Sequence, residues 1–117
     1  MQILAYSFGS ITIEDRVYTK DVWIINGKIR KRDKSIAKKK FGTSHRISRK
    51  ELENVVTKRT KKVLIGSGES GLVSLTKKAT QYLEEKEIKL EMHKTSELAK
   101  MKMEIEEEDS GIIHLTC

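Results

Sequence analysis

A glycine-rich loop, Gly66-Ser67-Gly68-Glu69-Ser70-Gly71, is the part of the sequence best suited to bind a ligand, and it directly follows the apolar run Val63-Leu64-Ile65. Three bulky apolar residues in a row predict a short strand buried on both faces. Glycine ends such a strand because it adopts positive φ without steric cost. A buried strand that leads into a glycine loop borders the ligand crevice in many open α/β sheets. The segment therefore predicts a site for an anion or another polar ligand, held by backbone amides.

The same loop spells G-x-G-x-x-G, the pattern of dinucleotide-binding proteins. In that pattern the helix begins within the glycines, whereas here Leu72-Val73-Ser74-Leu75 separate them from Thr76, the next residue suited to cap a helix. The acidic residue that binds a ribose should end the next strand, but that strand ends in Met92-His93. We therefore predict no bound cofactor.

The side chains that could ligate a metal or act as nucleophiles are the three histidines, His45, His93 and His114, and the single cysteine, Cys117. Only His114 and Cys117 are close in sequence, and three residues apart on a strand they face opposite sides. We therefore predict no metal site. No Ser-His-Asp order, nucleophile elbow or spaced carboxylate pair stands out, so we predict no catalytic residue and favour a protein that is not an enzyme.

A strongly basic segment spans residues 28–40, with only Asp33 as an acid. Its predicted basic surface consists of Lys28, Arg30, Lys31, Arg32, Lys38, Lys39 and Lys40. Such a segment can bind the phosphate backbone of a nucleic acid. However, Phe41 is the only aromatic residue nearby, so base stacking is not expected. The favoured interpretation is a solvated edge strand and loop that resists aggregation, with nucleic-acid binding as the alternative.

The elements that must position these residues begin with a predicted antiparallel β-meander over residues 1–32. Asn26-Gly27 between two β-forming runs is typical of a hairpin with a type I′ turn. The return strand over residues 28–32 is too polar for the middle of a sheet, so we place it at an edge. Residues 33–47 show no regular period and are predicted to form an irregular basic loop.

Residues 48–117 are predicted to alternate between helices and strands. Ser48-Arg49-Lys50-Glu51 forms a capping box that opens the first helix, Thr76 opens the second, and Thr95 or Ser96 opens the third, which keeps apolar spacing to Ile105. Strands are expected at residues 63–65, 88–93 and 111–116. This order predicts an α/β core with mostly parallel pairing within a single domain, residues 1–117.

Length and composition restrict the class of protein. A chain of 117 residues buries enough surface to need no disulfide or metal. There is no apolar run long enough to cross a membrane and no recognisable secretory signal, so we expect a cytoplasmic protein without membrane contact. Charged residues make up 35% of the chain, mainly Lys and Glu, and amides are scarce, a composition typical of thermophiles.

Four segments together resemble a small family of unassigned activity that occurs in archaea, bacteria and eukaryotes. They are Phe41-Gly42-Thr43-Ser44-His45, the helix opened by Ser48, Val63-Leu64-Ile65-Gly66-Ser67-Gly68, and His114-Leu115-Thr116-Cys117. Eukaryotic members include an adipogenesis-associated domain protein and a mitochondrial complex I assembly factor. The resemblance implies a three-layer fold whose mixed central sheet has one antiparallel strand, plus an amino-terminal β portion. It also implies a ligand surface formed by Gly42, Thr43, His45, Gly66, Ser67 and Gly68.

Three functions follow from these observations. The first is a non-enzymatic module that binds or assembles a protein partner, since no catalytic constellation is present. The alternative is a small-molecule or anion-binding protein, or an enzyme, that uses the crevice beside Gly66–Gly71 and His45. Nucleic-acid binding through residues 28–40 is the weakest of the three. Complex I assembly belongs to one mitochondrial branch of the family and is not transferred to this chain.

Overall fold

A computed structural model describes all residues, 1–117, as ten strands and four helices. The strands are β1 Ile3–Ser7, β2 Ser10–Ile13, β3 Arg16–Tyr18, β4 Val22–Ile25, β5 Lys28–Lys31, β6 Arg46–Ile47, β7 Lys62–Ser67, β8 Ser74–Leu75, β9 Lys89–His93 and β10 Asp109–His114. The helices are α1 Ser35–Phe41, α2 Arg49–Val55, α3 Lys77–Glu85 and α4 Thr95–Lys100. The longest helix, α3, has nine residues, and no membrane-spanning helix is found.

The central sheet has five strands in the order β5-β4-β10-β7-β9. β7 pairs in parallel with both β10 and β9, whereas β4 pairs antiparallel with β10 and with β5. β4 is therefore the one strand that runs against the other four, and the predicted mixed α/β fold is confirmed. The predicted strand at residues 63–65 lies inside this sheet, and Val63, Leu64 and Ile65 are fully buried.

Alternate side chains of the central sheet enter two separate hydrophobic clusters, which makes the fold three-layered. Leu64 faces α4 and the small sheet formed by β1, β2 and β3, where it packs with residues such as Ile11 and Leu98. Val63 and Ile65 face α2 and α3 and pack with residues that include Leu52. Because adjacent strand residues point to opposite faces, a strand buried on both sides must be apolar at every position.

The predicted amino-terminal antiparallel meander is confirmed for β1, β2 and β3 but does not extend to residue 32. β1, β2 and β3 form a separate antiparallel sheet, while the hairpin of β4 and β5 joins the central sheet. The reason lies in β4, where Val22 and Ile24 enter one cluster while Trp23 and Ile25 pack against the other. A strand that is apolar on both faces is stable only between two covering layers. The hairpin turn itself is as predicted, since Asn26 and Gly27 both have positive φ, and β5 lies at the sheet edge.

Residues 33–47 form regular structure, which corrects the predicted basic loop. They contain α1, and then β6, which pairs in parallel with β8. Two local features start and end α1. The Asp33 carboxylate accepts hydrogen bonds from the amide and hydroxyl of Ser35, and Gly42 ends the helix with φ of 72°. Only Ala37 is buried in this helix, so the sequence shows no apolar period there.

The helix boundaries agree with the predicted starts better than with the predicted ends. Ser48 Oγ accepts from the amide of Glu51 at 3.1 Å, and Thr76 Oγ1 accepts from the amide of Ala79 at 3.1 Å. The predicted third helix begins at Thr95 but ends at Lys100, because Lys102 adopts φ of 50°. Ile105 reaches the core from the following loop, and β10 spans Asp109–His114 rather than residues 111–116.

Candidate functional site

Three strand ends bring polar residues together at one edge of the central sheet. Asp21 immediately precedes β4, Arg32 immediately follows β5, and His114 is the last residue of β10. These strands are neighbours, and the antiparallel course of β4 places its start beside the ends of the other two. The carboxyl edge of β10 therefore brings together polar side chains that are 93 residues apart in the chain.

The centre of this cluster is a buried guanidinium. Arg32 is 2% exposed, and its Nη1 lies 3.0 Å from Asp21 Oδ2. Its Nε and Nη2 donate to the two carboxylate oxygens of Glu51 at 2.7 and 3.0 Å, and Nη2 also donates to the Ser44 carbonyl. Burial by itself would lower the pKa of Arg32, but the hydrogen bonds and charges of Glu51 and Asp21 raise it. Charge-assisted, two-pronged bonds of this kind hold all partners in one geometry.

A chain of hydrogen bonds runs outward from Asp21 to the end of the polypeptide. The Asp21 carboxylate lies 2.7 Å from His114 Nδ1 and accepts from the amide of Leu115 at 2.9 Å. On the other side of the imidazole, His114 Nε2 lies 3.2 Å from Thr116 Oγ1. Burial would raise the pKa of Asp21, but these bonds and the charges of His114 and Lys34 outweigh it and lower the pKa to about 2. Asp21 is therefore ionised at neutral pH.

An open pocket of about 610 Å³ lies over this cluster, and we call it the lysine pocket. Leu115 is its one hydrophobic lining residue. The Lys34 ammonium is 3.7 Å from Asp21, whereas the other three lysines make no ion pair. The lining residues are Thr19, Lys20, Asp21, Lys31, Arg32, Asp33, Lys34, Lys38, Leu115 and Thr116.

The predicted glycine loop is engaged with its own chain. Gly68 has φ of 92°, and its amide and carbonyl both bond to Thr95. A Cβ at Gly68 would lie 2.6 Å from the backbone of Thr116 and Cys117. The Ser67 hydroxyl donates to the His93 carbonyl, and Gly66 is packed tightly within β7. The loop thus holds the carboxyl-terminal residues against the sheet, and none of the four main pockets is lined by Gly66, Ser67 or Gly68. A ligand role for these three residues stays a prediction.

The second group of predicted site residues lies beside the buried cluster. Gly42 ends α1, and Thr43 Oγ1 accepts from the amide of His45 at 3.1 Å. The His45 ring packs edge-on against the His114 ring, with centroids 5.1 Å apart and an angle of 81° between the planes. Burial and then the charges of His114 and Arg32 lower the pKa of His45. His114 pairs with Ser67 at the end of β7, so His45 contacts a neighbour of the glycine loop.

The predicted basic surface needs one correction. Lys28, Arg30, Lys31, Lys38, Lys39 and Lys40 are exposed, but Arg32 is buried and neutralised by two carboxylates. Along β5, alternate residues point to opposite faces, and the position after the strand turns inward against α2. Lys31 and Lys38 line the lysine pocket, which gives part of the basic segment a concave surface.

Sequence reasoning missed Asp21, Glu51 and Thr116 as site residues, together with Lys20 and Lys34. The capping box predicts that the Glu51 carboxylate bonds to the Ser48 amide, but the Glu51 side chain accepts from Arg32 and Trp23 Nε1 instead. The available signal was the position of single charged residues directly next to apolar strands. That signal does not show which charges become partners, because the partners lie far apart in the chain.

The protein is thus a three-layer α/β protein with a buried ionic cluster and a basic pocket at the carboxyl edge of its sheet. Residues 3–109 match the model of the family described as "Protein of unknown function (DUF498/DUF598)", and the chain belongs to that family.

Two solved structures are similar over their full lengths. The conserved hypothetical protein PH1505 from Pyrococcus horikoshii OT3 superposes with a TM-score of 0.86 at 30% identity, and the alignment covers 100% of both chains. A protein described as MT938 superposes with a TM-score of 0.76 at 25% identity, again over 100% of both chains. No curated protein matches the sequence.

Proposed function

We propose that this protein binds a small molecule that carries phosphate or carboxylate groups, and that the lysine pocket is the binding site. One observation carries the proposal: Lys20, Lys31 and Lys38 surround an open pocket of about 610 Å³ without a carboxylate partner. That volume lies within the range of small-molecule sites, roughly 300–1,000 Å³. Lysine is a common phosphate ligand because its ammonium is a compact point charge.

The buried ionic cluster holds in place two residues that line the pocket, Asp21 and Arg32. Arg32 is saturated by Asp21 and Glu51, so its charge is not available to a ligand. Its role is to lock the ends of β4 and β5 and the start of α2 in place. Side chains that are already fixed lose less conformational entropy when a ligand binds. The four lysines that line the pocket supply the attraction, since they outnumber the two acids in the lining, Asp21 and Asp33.

Calorimetric titration at low salt tests this proposal with inorganic phosphate, glycerol phosphate, succinate and, as a neutral control, glycerol. We expect binding of the anions only. Lys20→Met and Lys38→Met should each weaken it about tenfold, the equivalent of ~1.4 kcal/mol. Lys58→Met removes an exposed lysine remote in sequence from the pocket-lining residues and serves as the charge-matched control. Equal weakening by Lys58→Met, or no binding of any of the three anions, would overturn the proposal.

The second candidate is the predicted protein-binding module. It is supported by Phe8 and Leu72, which are 56% and 55% exposed although both are large and apolar. Gly9, next to Phe8, donates its amide to the Leu115 carbonyl, and Leu72 donates to the Cys117 carbonyl. The two side chains therefore project from loops that flank the same carboxyl-terminal segment. The resemblance to a family with an assembly-factor branch supports it by analogy only.

Affinity capture from native lysate at several salt concentrations tests this second candidate. A true partner should be retained by the unaltered protein and lost from the Phe8→Ser and Leu72→Ser variants. Capture that both variants leave unchanged, or no capture at all, would contradict it.

The same preparations can be titrated with single-stranded and duplex oligonucleotides. Nucleic-acid binding through residues 28–40 requires an affinity that falls steeply as salt is raised.

A further inference from the structure

We propose that Thr116 is a nucleophile activated by His114 and Asp21, and that the site cleaves carboxylic esters whose acid portion carries an anionic group. The nucleophile is inferred from the geometry of the three side chains alone. Only the preference for an anionic substrate rests on the proposed function of the lysine pocket.

The hydrogen bonds define where the protons lie. Asp21 Oδ1 accepts from the Leu115 amide, and Asp21 Oδ2 is 2.7 Å from His114 Nδ1. An ionised carboxylate can only accept, so Nδ1 carries the proton. The nitrogen left to accept a proton is then Nε2, which is 3.2 Å from Thr116 Oγ1. A nucleophile, a base within hydrogen-bond reach and a third group that orients the base form the general arrangement of an activated hydroxyl.

The exposure of the Thr116 hydroxyl and the burial of the His114 imidazole both support these roles. Thr116 lines the lysine pocket and is half-buried, so a ligand in the pocket can contact it. His114 is 1% exposed, and the His45 ring packs against it edge-on. The imidazole itself does not line the pocket, and its contact with a bound ligand is made through the Thr116 hydroxyl. A low dielectric around the base strengthens its interaction with the hydroxyl.

The chemistry balances without any other reactant than water. Thr116 Oγ attacks the ester carbonyl carbon while its proton passes to His114 Nε2. The bond from the carbonyl carbon to the leaving oxygen then breaks, and Nε2 returns the proton to that oxygen, which leaves as an alcohol. Water attacks the acyl-threonine in the same way, giving the free acid and restoring the hydroxyl. The lysines around the pocket supply positive charge near the oxyanion that forms.

The experiment uses p-nitrophenyl acetate as a neutral ester and the mono-p-nitrophenyl ester of glutaric acid as an anionic one. All reactions are run in a Cys117→Ser background, because Cys117 is an exposed thiol that would itself react with activated esters. The readouts are release of p-nitrophenolate and the site of acylation by peptide mass spectrometry. We expect an acyl group on Thr116 and a faster reaction of the anionic ester.

Removing the hydroxyl at constant shape is the decisive change. Thr116→Val should lower p-nitrophenolate release by about a hundredfold or more, whereas Thr116→Ser should retain it. Thr80→Val is the matched control, since the Thr80 hydroxyl bonds only to the Thr76 carbonyl in α3. Acylation confined to lysines, or equal rates for Thr116→Val and Thr80→Val, would overturn the proposal and show that Thr116 only satisfies the buried imidazole.

The proposed nucleophile and the proposed lysine pocket can be tested independently of each other. Reaction of the neutral ester tests the hydroxyl without the lysines, and calorimetric binding of glycerol phosphate to Thr116→Val tests the lysines without the hydroxyl. If the neutral ester reacts at Thr116 but the anionic ester gains nothing, the nucleophile stands and the lysine pocket is not its substrate site. If phosphate binds to both forms but neither ester acylates Thr116, the pocket stands as a binding site alone.

Discussion

At the scale of single residues, the structure depends on one buried cation. Arg32 satisfies two carboxylates and a carbonyl, so removing it leaves the buried carboxylates of Glu51 and Asp21 each without a cation that they bond directly. Breaking a buried pair from one side costs about 3–5 kcal/mol, because a charge is left in a low dielectric. We expect Arg32→Met to lower the free energy of unfolding by about that amount, measured by urea denaturation followed through Trp23 fluorescence.

The neighbouring lysine provides the control for that prediction. Lys31 is exposed and makes no ion pair, so Lys31→Met should change stability by less than about 0.5 kcal/mol. Arg32→Lys should fall nearer to Arg32→Met than to the unaltered protein, since an ammonium cannot make the two-pronged bond to Glu51. If Arg32→Met is as stable as Lys31→Met, the buried cluster does not hold the strand ends together.

His45 should make stability depend on pH. Its pKa is lowered in the folded protein from the ordinary value of 6.5, so the unfolded chain binds the proton more readily. The stability associated with neutral His45 is fully present above pH 6.5 and is lost as pH falls through the lowered value. His45→Gln should therefore lose less stability than the unaltered protein when urea midpoints are compared at about pH 7.5 and about pH 5.5. Parallel losses in the two proteins would contradict this.

At the scale of elements, α2 is the helix whose start positions the site. Its cap, Ser48, satisfies the amide of Glu51, and the same turn delivers the Glu51 carboxylate to Arg32 and Trp23. Ser48→Ala should cost about 1 kcal/mol of stability. Ser48→Gly should cost less, although glycine is the poorer residue inside a helix, because a cap position is not helical. Chemical denaturation of both variants tests this, and the reverse order would show that the cap is not what Ser48 contributes.

At the scale of the whole molecule, the small sheet and the central sheet share one hydrophobic cluster. Ile11 of β2 is fully buried in the cluster that also contains Leu64 and Leu98. Trp23 packs against the cluster on the opposite face. Ile11→Ala should destabilise the protein by about 2–5 kcal/mol, and Trp23 fluorescence and circular dichroism should report the same midpoint. Two separate midpoints would mean that the small sheet unfolds independently.

Elements with local signals could be predicted from the sequence. The Asn26-Gly27 turn, the caps at Ser48 and Thr76, the edge position of β5 and the doubly buried strand at residues 63–65 were all predicted, because each depends on neighbouring residues. The run of helices and strands after residue 47 was enough to predict the α/β class. By contrast, α1 is not predictable because only one of its side chains is buried. The capping box accounts for Glu51 locally and gives no sign that its carboxylate binds Arg32.

Which polar side chains meet depends on the pairing of the strands. Asp21, Arg32, Glu51 and His114 are brought together by the antiparallel insertion of β4 beside β10, a pairing between residues about 90 positions apart. The same pairing buries Arg32, which is predicted as a surface cation, and places Thr116 in the lining of the lysine pocket. A buried charge requires partners, but the sequence does not record which distant residues provide them, because that choice is made by strand order.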